Sequence, residues 1–151
     1  MPDLLNVLGN SVLIGALVAC FSAQLLKFLI GVVIDGKVHP RTLFETGGMP
    51  SSHSAFVTAM AAGVGATMGW DSPDFAIAVV VATIVMYDAS GVRQEAGKHA
   101  KVLNRVMDEV FTGEAEWTDT RLKELLGHTS AQVVAGAAWG VAIFGMTKLV
   151  A

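Results

Sequence analysis

Residues 75–87, FAIAVVVATIVMY, carry no charge, and the chain holds three further apolar runs of similar or greater length. A run of about 20 apolar residues is what a helix needs to cross a hydrocarbon core. The four runs cover approximately residues 8–34, 53–70, 75–92 and 130–150. The rest of the composition agrees. Apolar residues make up 53% of the 151 and charged residues 15%, where soluble domains carry roughly 25% charged. Mean hydropathy is +0.57. A soluble domain of this size leaves much of its chain in water, and this chain lacks the polar surface for that. The expectation is an all-α, polytopic membrane protein: a single integral membrane domain over 1–151, with about four transmembrane helices in a bundle, a helical extension and a short helix.

Several classes drop out. A net charge of −3 with no basic stripe interleaved with aromatics gives no sign of nucleic acid. The single cysteine, Cys20, lies inside an apolar run and belongs to no metal-binding spacing. The start, Met1-Pro2-Asp3, lacks the positive region of a signal peptide, so the first run is expected to stay as a helix.

Within the runs, Gly63, Gly65 and Gly69 offer a small-residue face, and Gly136-x-x-x-Gly140 is a close-packing pattern. The region 93–127 is polar. Its first half places Ala96, Leu103, Val106, Met107 and Val110 at helical spacing, which reads as the third helix continuing out of the membrane. A loop, TGEAEWTD, and a short helix, TRLKELLG, stopped by Gly127, are expected to follow. With four spans, the loop carrying Lys37 and Arg41 shares a side with region 93–127. Eight of the ten Lys and Arg residues lie there. Basic loops mark the cytoplasmic side, so a multi-pass protein of the cell membrane with both termini outside is expected.

Two stretches on that side carry chemistry. In GGMPSSHS, residues 47–54, Ser51 or Ser52 can cap the second helix and His53 falls in its first turn. In LGHTSAQ, His128 precedes Thr129 and Ser130 at the start of the fourth. A helix N-terminus offers unpaired N–H groups and the positive end of the macrodipole. Two such ends converging, with Lys27 and Arg93 nearby, would make a phosphate pocket at the membrane surface. Ser-Ser before an apolar helix also serves as a plain cap, and Lys27 could equally snorkel to the headgroups. Asp88 interrupts an apolar run, where an acid needs a partner or a role.

Pro50-Ser51-Ser52-His53 resembles the Pro-Ser-Gly-His motif of the type 2 phosphatidic acid phosphatases, membrane enzymes related to vanadium haloperoxidases. Gly127-His128 with TSAQVVAGAAWG resembles the end of that family's third motif. GGMPSSHS, YDASGVR and LGH together are most similar to its divergent bacterial and plant branch. The resemblance implies hydrolysis of a lipid phosphate or isoprenoid (di)phosphate without metal or other cofactor. By that resemblance His128 would attack phosphorus and form a phosphohistidine, and His53 would protonate the leaving oxygen. Lys27, Arg93 and the backbone around Ser51 and Ser52 would hold phosphate oxygens. Such an arrangement suits in-line displacement, with fixed cations stabilising the charged transition state.

The chain departs from the pattern in three ways. No Arg-Pro pair accompanies Lys27. Arg93 lies 35 residues before His128. Gln132 stands where the family has an acid; its carbonyl can orient an imidazole N–H, but it cannot stabilise an imidazolium as a carboxylate does. Asp88 could supply that carboxylate from the third helix. Two other readings remain open: a lipid-phosphate binder or carrier without turnover, and a metal-dependent phosphotransferase using Asp88, Glu95 and Asp108. Four spans make a small bundle, which a homodimer could complete.

Overall fold

The computed structural model describes residues 6–7, 9–36, 47–110, 121–122, 124 and 127–150. Among these residues the regular structure is all helical, with no strand. The order is α1 (Ser11–Asp35), α2 (Ser52–Met68), α3 (Pro73–Tyr87), one π turn (Asp88–Val92), α4 (Arg93–Val110) and α5 (Ser130–Val150).

The helix ends follow local chemistry. Asn10 caps α1 by accepting the Leu13 N–H at 3.0 Å, and Gly36 closes it in the left-handed conformation. Ser72 caps α3 by accepting the Phe75 N–H at 3.1 Å, with Pro73 in the first turn, where its missing N–H costs nothing. From Pro73 the chain stays helical to Val110, as the amphipathic continuation of the third run requires.

Among the described residues, three helices are long and apolar enough to cross a membrane: 11–34, 73–110 and 130–149. The second expected span is shorter. α2 has 17 residues, about 26 Å of helix against a core of about 30 Å. It is also the centre of the bundle, packing on α1, α3 and α5, while α1 touches α5.

The interior is small and the exterior large. Ala16, Ala19, Ala23, Ala55 and Ala59 form the core with Phe144. Phe21, Leu25, Leu29, Ile77, Val80 and Ile84 face outward. That inversion of the soluble pattern suits lipid, where apolar exteriors carry no penalty and small residues let helices approach. Gly136 and Gly140 show the approach directly. A Cβ on Gly136 would collide with the Ser51 backbone, and one on Gly140 with the Ala55 carbonyl. Side-chain hydrogen bonds also cross between helices, among them Thr58 Oγ1 donating to the Ala137 carbonyl at 3.1 Å and Trp139 Nε1 donating to Ser22 Oγ at 3.0 Å. Bonds of this kind are worth on average about 0.6 kcal/mol each.

These contacts set directions. Ser51 lies beside Gly136 and Ala66 beside Lys148, so α2 and α5 run parallel. Val12 lies beside Gly63 and Lys27 beside Gly48, so α1 runs antiparallel to both. The N-termini of α2 and α5 therefore open at the same end, together with the C-terminal part of α1.

The expected short helix at TRLKELLG is corrected at its described residues: Arg121, Leu122 and Glu124 are not helical. The Asn104 amide takes the Leu122 backbone at both its groups, donating to the carbonyl at 2.9 Å and accepting the N–H at 3.0 Å. Arg121 meanwhile pairs with Asp108. These bonds replace the intrahelical ones and pin the strand of chain along α4. The Lys37/Arg41 loop and TGEAEWTD lie outside the described residues.

Candidate functional site

Ser51 is the cap of α2, as its position in PSSH suggested. Its Oγ accepts the Ser54 N–H at 3.3 Å and the Ser54 hydroxyl at 3.1 Å, and both serines are fully buried. Its own N–H donates to the Gln132 carbonyl at 3.1 Å, tying the start of α2 to the first turn of α5. That N–H is thus committed within the fold. The N–H groups that open this helix without an intrahelical acceptor belong to Ser52 and His53.

At the mouth of α5, Thr129 and Gln132 form a reciprocal pair. Thr129 Oγ1 accepts the Gln132 N–H at 3.3 Å, and Gln132 Oε1 accepts the Thr129 N–H at 3.1 Å. This is a capping box, in which a threonine and a glutamine three positions apart each satisfy the other's backbone donor. The spacing is visible in the sequence as Thr-x-x-Gln. The same Oε1 lies 3.3 Å from His128 Nδ1. A backbone N–H can only donate, so the glutamine atom facing Thr129 is oxygen, and Nδ1 opposite that oxygen carries the proton. Nε2 keeps the lone pair.

His128 is held at its backbone as well. Its N–H donates to the Ala89 carbonyl at 2.8 Å. In an α-helix that carbonyl would accept from Arg93. Here the Arg93 N–H reaches one residue further back, to the Asp88 carbonyl, and the π turn releases Ala89 to accept from outside the helix. No residue pattern signals this bond.

The two histidines then meet. Their ring centroids are 6.2 Å apart with the planes at 62°. His128 is almost fully enclosed at 3% exposure. Burial pushes its imidazole below the ordinary 6.5, and His53 and Lys27 act the same way; hydrogen bonds to Gln132 and to the Gly48 backbone oppose them in part. The neutral imidazole is therefore the favoured form at neutral pH.

Lys27 does not snorkel outward. It is 5% exposed, with its carbon stem against Gly48, where a Cβ would sit 2.8 Å from Lys27 Cδ. Gly48 also has φ of +80°, so the GGM turn uses glycine for both backbone shape and room. The backbone at Arg93 and Gln94 lies against the turn at Gly127, next to His128. Asp88 is half-exposed and pairs with Arg93, Nε to Oδ2 at 2.8 Å. The structure thus puts Gln132, not Asp88, on the ring of His128. Glu95 pairs with Lys98 and Asp108 with Arg121, so the three carboxylates of the phosphotransferase reading go to three separate cations. Among the described residues no three His, Cys, Asp or Glu side chains are grouped to hold a metal ion.

A family model described as the divergent PAP2 family matches residues 8–143. The chain belongs to that family. The match embraces both histidine motifs and the π turn between them. The divergent PAP2 chain is also 38% identical over 147 residues to the uncharacterized membrane protein YuiD of Bacillus subtilis (strain 168), covering 91% of this chain and 93% of the relative. No solved structure matches it.

Proposed function

We propose that this divergent PAP2 protein is a membrane phosphatase that hydrolyses a lipid phosphate or lipid diphosphate from the cytoplasmic side. The observation that carries this reading is the pairing of His53 and His128 at 6.2 Å, each at a helix mouth, with the Nδ1 proton of His128 fixed by Gln132. In this mechanism Nε2 of neutral His128 attacks phosphorus, and the bond to the leaving oxygen breaks as His53, in its protonated form, gives that oxygen a proton. Water then attacks the phosphohistidine, with neutral His53 taking the water's proton, and phosphate leaves. Lys27 and Arg93, with the open N–H groups of Ser52 and His53, neutralise the phosphoryl oxygens in both steps. α2 serves as the fourth crossing of the bilayer, short because its mouth sits inside the bundle where the substrate phosphate enters.

Protein purified in nanodiscs should release phosphate from a panel of phosphatidic acid, lysophosphatidic acid and isoprenoid mono- and diphosphates with chelator present. His128→Ala should abolish release. A silent wild-type protein on the whole panel would overturn the reading. A binder without turnover is the second reading, favoured by one observation: Gln132 is neutral where the family has an acid. Lipid-phosphate binding that survives His128→Ala, with no wild-type release, would establish it.

A further inference from the structure

We propose that Asp88 is a positioning residue for Arg93, and that the π turn exists at this point to join that pair to His128. The inference rests on the phosphate-site reading above and assigns Asp88 a role that the sequence alone directed elsewhere.

Asp88 and Arg93 are five positions apart. On an α-helix such residues point in different directions, since neighbours on one face are three or four apart. The π turn closes its hydrogen bond over five residues, from the Arg93 N–H to the Asp88 carbonyl, and so stacks the two side chains on one face. The carboxylate then takes Nε of the guanidinium at 2.8 Å. Binding through Nε leaves the terminal nitrogens of Arg93, the pair suited to a two-point grip on phosphate oxygens, outside that contact. The same turn frees the Ala89 carbonyl for the His128 N–H. One local distortion therefore fixes the cation and the nucleophile in the same frame.

The sign of one substitution decides the matter. A carboxylate beside an anion site repels the anion, so removing it should tighten binding unless it holds the cation in place. Orthovanadate serves as the tetrahedral anion, titrated calorimetrically into the full chain in nanodiscs. Arg93→Ala should weaken vanadate about tenfold or more. Asp88→Asn and Asp88→Ala should each weaken it by about three- to tenfold. The double variant Asp88→Ala/Arg93→Ala should bind within about twofold of Arg93→Ala alone, because the carboxylate acts only through the guanidinium. Asp88→Glu should recover most of the loss.

Asp88 variants that bind vanadate equally or more tightly would overturn the proposal, as would penalties that multiply in the double variant. Asp88→Asn keeps the shape of the side chain, and thermal unfolding of each variant in the same nanodiscs separates misfolding from lost positioning. A wild-type protein that binds vanadate with this pattern but releases no phosphate from lipids would fail the hydrolase reading and leave the positioning intact. A wild-type protein that does not bind vanadate would overturn both.

Discussion

The two sides of the site are built by different means. On one side, α2 and α5 run parallel and present two capped N-termini, brought together by Gly136 and Gly140 against the Ser51 and Ala55 backbones. On the other, a single helix from Pro73 to Val110 carries Asp88 and Arg93, and only a one-residue excess in its hydrogen-bonding gives them a common face. The first side relies on residue types with strong local preferences. The second relies on a register defect. What unites them is His128, whose side chain answers to α5 through Gln132 and whose N–H answers to the π turn through Ala89.

The comparison breaks most sharply between the two histidines. Both sit at helix mouths, yet the proposed roles differ, one as nucleophile and one as acid. His53→Ala should slow release from an alkyl phosphate by about 10²–10⁴-fold. On p-nitrophenyl phosphate, whose leaving phenolate needs no proton, the loss in the first-turnover burst of nitrophenolate should be far smaller, although hydrolysis of the phosphohistidine still needs His53 as base. His128→Ala should be inactive on both. Equal losses for His53→Ala in the first turnover of both substrates would remove it as the acid.

A smaller effect sharpens the α5 side. His128 must be neutral to attack, so activity fades as pH falls through its pKa, and burial places that acid limb below the ordinary 6.5. Gln132→Glu keeps the capping box, since glutamate satisfies the Thr129 N–H equally well. It also sets an anion beside the imidazole, which favours the imidazolium. The acid limb of kcat/KM should therefore move up by about one pH unit. An unmoved limb would mean that Gln132 does not face the reacting imidazole in the working enzyme.

Much of this was legible in the chain, for reasons that vary by residue. The apolar runs announced a helical membrane protein because lipid demands about 20 apolar residues per crossing. Gly136-x-x-x-Gly140 announced a close contact, though not that its partner would be the backbone at Ser51. PSSH announced the cap. Thr129-x-x-Gln132 held the capping box in plain view, and with it the partner of His128. YDASGVR concealed the π turn, because a single shifted hydrogen bond has no signature in residue type or periodicity. That concealment left Asp88 looking for a partner at His128, when its partner was five residues away. The short helix at TRLKELLG failed for a related reason: local preference could not foresee that Asn104, 18 positions upstream of Leu122, would claim its backbone.

The central claim is covalent, and it can be read directly. Wild-type protein in nanodiscs, mixed with a lipid phosphate and quenched in alkali, should carry an alkali-stable, acid-labile phosphoryl group that peptide mapping places on His128. The adduct should be absent from His128→Ala. Steady release of phosphate with no histidine adduct at any quench time, or with His128→Ala still turning over, would contradict it.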